Sequence, residues 1–204
     1  MRLLTSSCAA GAIALAATFV SGSAQAGETV WKIEPETSSI GFASIKNNAV
    51  GETHHFNGVS GMVDSAGQVT VDIDLAGVET YVDIRNERMK EFVFNNIPTA
   101  TLTAEVEMDD LVSLDVGAST TTDAFGTLSL LGTDVDVDAV LFVMRLSEDK
   151  VMVTTDGMAM LNIADAGLSE GIEKLREIAG LDSITGVSPV TMRLLLTSSD
   201  DGES

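Results

Sequence analysis

Residues 69–75 read VTVDIDL. Val69, Val71, Ile73 and Leu75 fall on one side of an extended chain and Thr70, Asp72 and Asp74 on the other, as a strand with one dry and one wet face requires. Residues 134–140 repeat the alternation with Asp134, Asp136 and Asp138 outward. Working outward from these two, strand-like runs recur at residues 30–33, 39–45, 55–63, 100–107, 126–131, 141–147, 151–163 and 190–197. Short turn signals, Ser65-Ala66-Gly67 and Glu148-Asp149-Lys150, separate neighbouring runs, so the pairing is mostly antiparallel.

Two segments leave this period. Asp83 is placed to cap a short helix running towards Phe92, with Asn86 and Glu87 in or near its first turn. Ser169 is placed to cap a second, in which Ile172, Leu175 and Ile178 or Ala179 form one apolar face and Gly180 ends it. Many strands with two short helices make an all-β fold, either a closed barrel or a sandwich. No internal repeat or linker divides the chain, so residues 27–204 are expected to form one domain, with 198–204 a frayed acidic tail.

Residues 1–26 carry Arg2, an apolar run from Cys8 to Val20 and then Ala24-Gln25-Ala26, the order of a secretory signal peptide. The run is too short for a membrane-spanning helix, which needs roughly 20 residues. Cleavage before Gly27 and a periplasmic location are therefore expected. Cys8 is the only cysteine and lies in the segment removed; Thr5 stands where a lipoprotein signal needs Leu, so lipidation is not expected. Without thiols, the fold has to rely on an ordinary apolar core.

The formal net charge is -20, and loss of Arg2 with the leader makes it -21. Duplex nucleic acid is excluded as a partner, and anionic membrane surfaces repel such a chain at long range. His54 and His55, the only histidines, are adjacent on a strand and point to opposite faces, so they do not chelate together. The Asp134, Asp136, Asp138 series mimics the start of a calcium loop, but Ala139 stands at its glycine and Arg145 at its terminal glutamate. No nucleophile elbow or phosphate-binding glycine loop is present, so an enzyme is not expected and no cofactor is required.

The order of the segments resembles the YceI-like family of exported, lipocalin-like proteins. The likeness runs through WKIEPETSSIGFASI (31–45), FNGVSGMVDSAG (56–67), VETYVDIRNERMKEFVF (78–94), IPTATLTAEVEM (97–108), FGTLSLLGTDVDVDAVLFVMRL (125–146) and VSPVTMRLLLTS (187–198). It implies an eight-stranded antiparallel lipocalin-like β-barrel with two short helices. Its apolar interior would bind an isoprenoid lipid, a quinone or a polyprenyl chain. Three places where members often carry histidine hold Thr37, Arg88 and Leu131 instead.

On that resemblance the candidate ligand-binding residues are Phe42, Phe56, Ile73, Leu102 and Leu130 from the alternating strands, with Phe142, Met144, Met158 and Met160 further along the chain. Methionine suits a pocket for a bent, variable chain. From DIRNERMKEFVF (83–94), Arg85 and Arg88 are three apart on one helix face and could clamp a polar head group, with Met89 and Phe92 beside them. The ordinary alternative is that these arginines pair with nearby carboxylates. The helix at 169–180 could close over the barrel mouth or pack permanently against it. The implied function is a periplasmic lipid carrier. The alternative is a structural or stress-associated interaction module without lipid. Brief contact with a membrane or membrane protein, and dimerisation, stay open.

Overall fold

The computed structural model describes residues 29–108 and 113–200; the expected signal peptide and residues 201–204 lie outside them. The strand segments are β1 (Thr29–Ile33), β2 (Ser39–Lys46), β3 (Val50–Phe56), β4 (Val59–Val63), β5 (Gln68–Asp74), β6 (Val78–Glu79), β7 (Thr99–Glu105), β8 (Ser119–Leu130), β9 (Thr133–Arg145), β10 (Lys150–Thr155), β11 (Ala159–Asn162) and β12 (Val187–Asp200).

These twelve segments reduce to eight antiparallel runs. Along one edge of β12, β1 pairs with residues 196–200 and β2 with residues 190–193, so β1 and β2 are one strand broken at the Glu34–Ser38 turn. Along the other edge β10 and β11 divide β12 in the same way. Likewise β3 and β4 together face β2 and β1, and β5 and β6 together face β4 and β3. With β7, β8 and β9 as unbroken runs, the eighth run returns to the first through Trp31↔Ser198. The result is the closed eight-stranded antiparallel barrel that the alternation and the resemblance implied.

Tight turns set the register. Asn47 and Asn48 both take positive φ (51° and 57°), as does the Leu131-Gly132 pair (55° and 79°), giving the two-residue hairpin turns whose twist matches the strands they join. The inward face holds a continuous core including Ile40, Val71, Ile73, Leu130, Leu194 and Leu196.

Several boundaries differ from the sequence reading. Residues 134–140 and 141–147 are not two strands but one, β9. β8 starts seven residues earlier than the apolar signal, in the Thr-rich STTTDAF, because a long partner strand supplies the pairing that local composition does not advertise. The expected tail is shorter than residues 198–204, since Ser198, Ser199 and Asp200 pair with Trp31, Val30 and Thr29.

The first helix, α1 (Asp83–Arg88), has Val82 rather than Asp83 at its cap position; Asp83 sits in the first turn, where its charge favours the helix dipole. α1 passes directly into a π turn, Met89–Val93, closed by Phe94 N–H donating to Met89 O at 3.0 Å. α1 is held to β6 by Asn86, whose Oδ1 accepts from Thr80 N at 2.8 Å and from Thr80 Oγ1 at 2.6 Å, all of it buried. The second helix, α2 (Ser169–Ala179), has Leu168 at its cap position, not Ser169, and ends as expected on Gly180 in the left-handed conformation.

Candidate functional site

Inside the barrel lies one apolar cavity of about 640 Å³, within the range of about 300–1,000 Å³ typical of ligand pockets. A barrel filled by its own side chains would leave no such space. Most strands contribute an inward set, among them Phe42 from β2, Phe56 from β3, Val71 and Ile73 from β5, Leu102 from β7, Leu128 and Leu130 from β8, Leu141 and Val143 from β9, Leu194 and Leu196 from β12. Small residues, Ala124, Gly126, Ala139 and Ala159, hollow out one side.

At one end the π turn presents Met89, Val93 and Phe94, all buried, and α2 adds Leu168 and Ile172. The helices fit so closely there that a Cβ on Gly171 would lie 2.3 Å from Phe92 O and 2.5 Å from Val93 Cα. That contact supports permanent packing of α2. At the other end stands Trp31, with the Arg145 guanidinium 5.1 Å over its ring.

The expected site residues divide. Phe42, Phe56, Ile73, Met89, Leu102 and Leu130 line the cavity. Met158 and Met160 also line it, but at its margin, 68 % and 62 % exposed, because the ladder of β10 ends before them. Phe142 and Met144 do not line it. β9 is one strand, so both share the parity of Asp134, Asp136 and Asp138 and face outward, while Leu141 and Val143 take the interior.

The basic cluster does not reach the cavity either. Arg85 Nη1 donates to Glu52 Oε2 at 2.8 Å and Nη2 to Thr80 O at 2.6 Å, the carboxylate pairing named as the ordinary alternative. Lys46 reaches the same Glu52 at 3.0 Å. Burial raises the Glu52 pKa, but the Lys46 hydrogen bond and the Arg85 charge outweigh it and leave the carboxyl below its ordinary value. Arg88 and Phe92 are absent from the lining, and Lys90 pairs with Glu87 at 2.7 Å.

The strand period points to a polar group that was not singled out. Continuing Ile40, Phe42 inward along β2 reaches Ser44, which lines the cavity and whose Oγ lies 3.2 Å from His54 Nε2. His54 is buried beside the Phe42 ring, 5.1 Å between centroids. Burial first, and the Arg85 charge second, press its pKa below the ordinary histidine value. Thr185 and Ser188 join Ser44 at this end. Among the described residues no Lys, Arg or His lines the cavity, and the only charged lining residues are Asp136 and Asp138. Among the described residues no group of three or more His, Cys, Asp or Glu side chains is placed to hold a metal ion.

The profile of the YceI-like domain matches residues 31–184. Among solved structures, a polyisoprenoid binding domain from Saccharophagus degradans, described as implicated in plant cell wall breakdown, is 34% identical to the chain. The match covers 83% of this chain and 98% of that one, with a TM-score of 0.80. BcnA from Burkholderia cenocepacia shares the fold at 15% identity, over 80% of this chain and 98% of its own, with a TM-score of 0.60. No match was found among curated proteins.

Proposed function

The chain belongs to the YceI-like family, and from that premise we propose that it binds and carries an isoprenoid, as a quinone or polyprenyl chain, or a similar amphiphile inside the barrel. The observation that carries the reading is the cavity itself, about 640 Å³ and apolar over nearly all of its wall. The Saccharophagus degradans domain, named for polyisoprenoid binding, supports it. Each buried methylene contributes about 0.8 kcal/mol, hence about 4 kcal/mol for a five-carbon unit before the costs of association. The tail therefore supplies the affinity.

Among the described residues, the head group would meet the hydroxyls of Ser44, Thr185 and Ser188 at one end and carboxylates at the Asp136, Asp138 margin. An uncharged head, a carbonyl or hydroxyl, fits this wall better than a phosphate, which would find no cation among the described lining residues. The proposal places the protein in the periplasm after removal of residues 1–26, where such a tail is insoluble without a carrier. It requires no cofactor, metal or covalent step.

The test is native mass spectrometry of protein purified from cells containing isoprenoid membranes, followed by organic extraction and lipid mass spectrometry. One isoprenoid per chain is the expected result. Protein that repeatedly carries none, and takes none up from vesicles, would return the reading to an interaction module.

A further inference from the structure

We propose that the ligand enters and leaves this barrel sideways, through a seam between β9 and β11; the inference rests on the reading that the barrel holds an isoprenoid. The ladder between β9 and β10 stops at Leu141↔Thr155, and the last bond beyond it is Asp156 N donating to Val140 O at 2.7 Å. Past that point β11 pairs only with β12. Among the described residues, no hydrogen bond crosses from residues 134–139 to residues 157–162. Six residues of unpaired edge correspond to a seam roughly 20 Å long.

The lining carries the same message independently. Where a barrel wall is closed, alternate residues of a strand face the interior. At the seam, consecutive residues border the cavity whichever way they point: Asp136 to Ala139 on one margin and Met158 to Leu161 on the other. The cavity therefore reaches through the wall there. Consecutive lining also occurs at Phe42, Ala43 and Ser44, but that edge is sealed. Ser188 Oγ donates to Ala43 O at 2.8 Å, Ile45 N to Thr185 Oγ1 at 3.3 Å and Thr185 N to Ile45 O at 3.0 Å.

The surface around the seam suits passage of an apolar chain. Met158 and Met160 are 68 % and 62 % exposed, and Phe125, opposite Asp138 on the neighbouring strand, is 68 % exposed. A flexible thioether exposed at an opening gives a sliding chain something to touch outside the cavity. The outward Asp134, Asp136 and Asp138 discourage another strand from pairing with the free edge of β9, which would seal it. The end under α2 offers no comparable gap, because the helix sits within van der Waals reach of the π turn at Gly171.

The test uses the full chain carrying Cys8→Ser, so that an added cysteine is its only thiol. Met160→Cys is labelled with a 5-kDa polyethylene glycol maleimide; Ile84→Cys, also well exposed but on α1 away from the cavity, is labelled identically. The probe is the anthraniloyl ester of geranylgeraniol, with uptake from vesicles and release followed by fluorescence. The expected result is that the label at position 160 slows uptake and release at least tenfold while the label at position 84 leaves both unchanged. Unchanged rates with the label at 160, in protein that binds the probe, would overturn the seam and leave the lipid reading standing. Failure of every unlabelled form to take up probe would overturn the lipid reading, and the portal with it.

Discussion

Gly171→Ala pits two effects against each other. In a free helix the change stabilises by about 1 kcal/mol, because alanine loses less backbone entropy and has the better helix propensity. Here the new Cβ would stand 2.3 Å from Phe92 O and 2.5 Å from Val93 Cα. Ordinary contact is roughly 3.5 Å, so α2 must retreat by about 1 Å. Both obstacles are backbone atoms of the π turn and cannot rotate aside. The overpacking cost then lies at the upper end of its usual range, about 3 kcal/mol, leaving a net loss of about 2 kcal/mol. For a domain of this size that lowers Tm by about 4–8 °C. Leu168 and Ile172, carried by the start of α2, would draw back from the cavity with it. Thermal and urea unfolding of the variant give the number. A variant stabilised by about 1 kcal/mol would show that α2 is not seated on the π turn and would refute the permanent-packing account.

The strand parity makes a paired prediction: Val143→Asp buries a carboxylate at a position 3 % exposed and should cost several kcal/mol and abolish probe binding, whereas Phe142→Asp, facing outward, should keep binding; comparing the two by unfolding and probe titration checks it. Arg85→Ala should destabilise by about 2 kcal/mol, through loss of the Glu52 and Thr80 bonds, yet leave probe affinity within twofold; a tenfold loss would restore Arg85 as a head-group clamp. Because His54 is held below its ordinary value of 6.5, the unfolded chain takes up the proton first as pH falls. The stability contributed by neutral His54 is complete above pH about 6.5 and lost on acidification through the folded value. Glu52, also lowered, loses its contribution only at pH values below its ordinary 4.5. Urea unfolding at pH 8, 6 and 5 should therefore show a decline that His54→Gln flattens, and coincident slopes would reject the assignment.

The barrel was legible because period two survives in nearly every strand, and VTVDIDL carries it without ambiguity. The phase failed where the signal itself vanishes. Residues 140–144 read VLFVM, apolar at every position, so nothing local says which side faces in. Only continuity with the acidic alternation upstream fixes Leu141 and Val143 as inward. Reading the two halves as separate strands reset the phase and put Phe142 and Met144 on the wrong face. The arginine cluster failed for a different reason. Arg85 is answered by Glu52, 33 residues away on a strand the sequence reading began only at residue 55. Ser44 could have been found by carrying the alternation of β2 two residues further, past Phe42. The seam has no sequence signature, because it is the absence of a partner along an edge.

β12 also sets the order in which this protein can become a container. Its last residues pair with the first described ones, Asp200 with Thr29 and Ser198 with Trp31. As the chain is made, every other run of the barrel emerges before the strand that joins the two ends. Until then the oily inner face is a curled sheet open to solvent, and contacts this distant in sequence form slowly. The apolar wall that would shelter a lipid is thus, for the length of its own synthesis, the surface most in need of shelter.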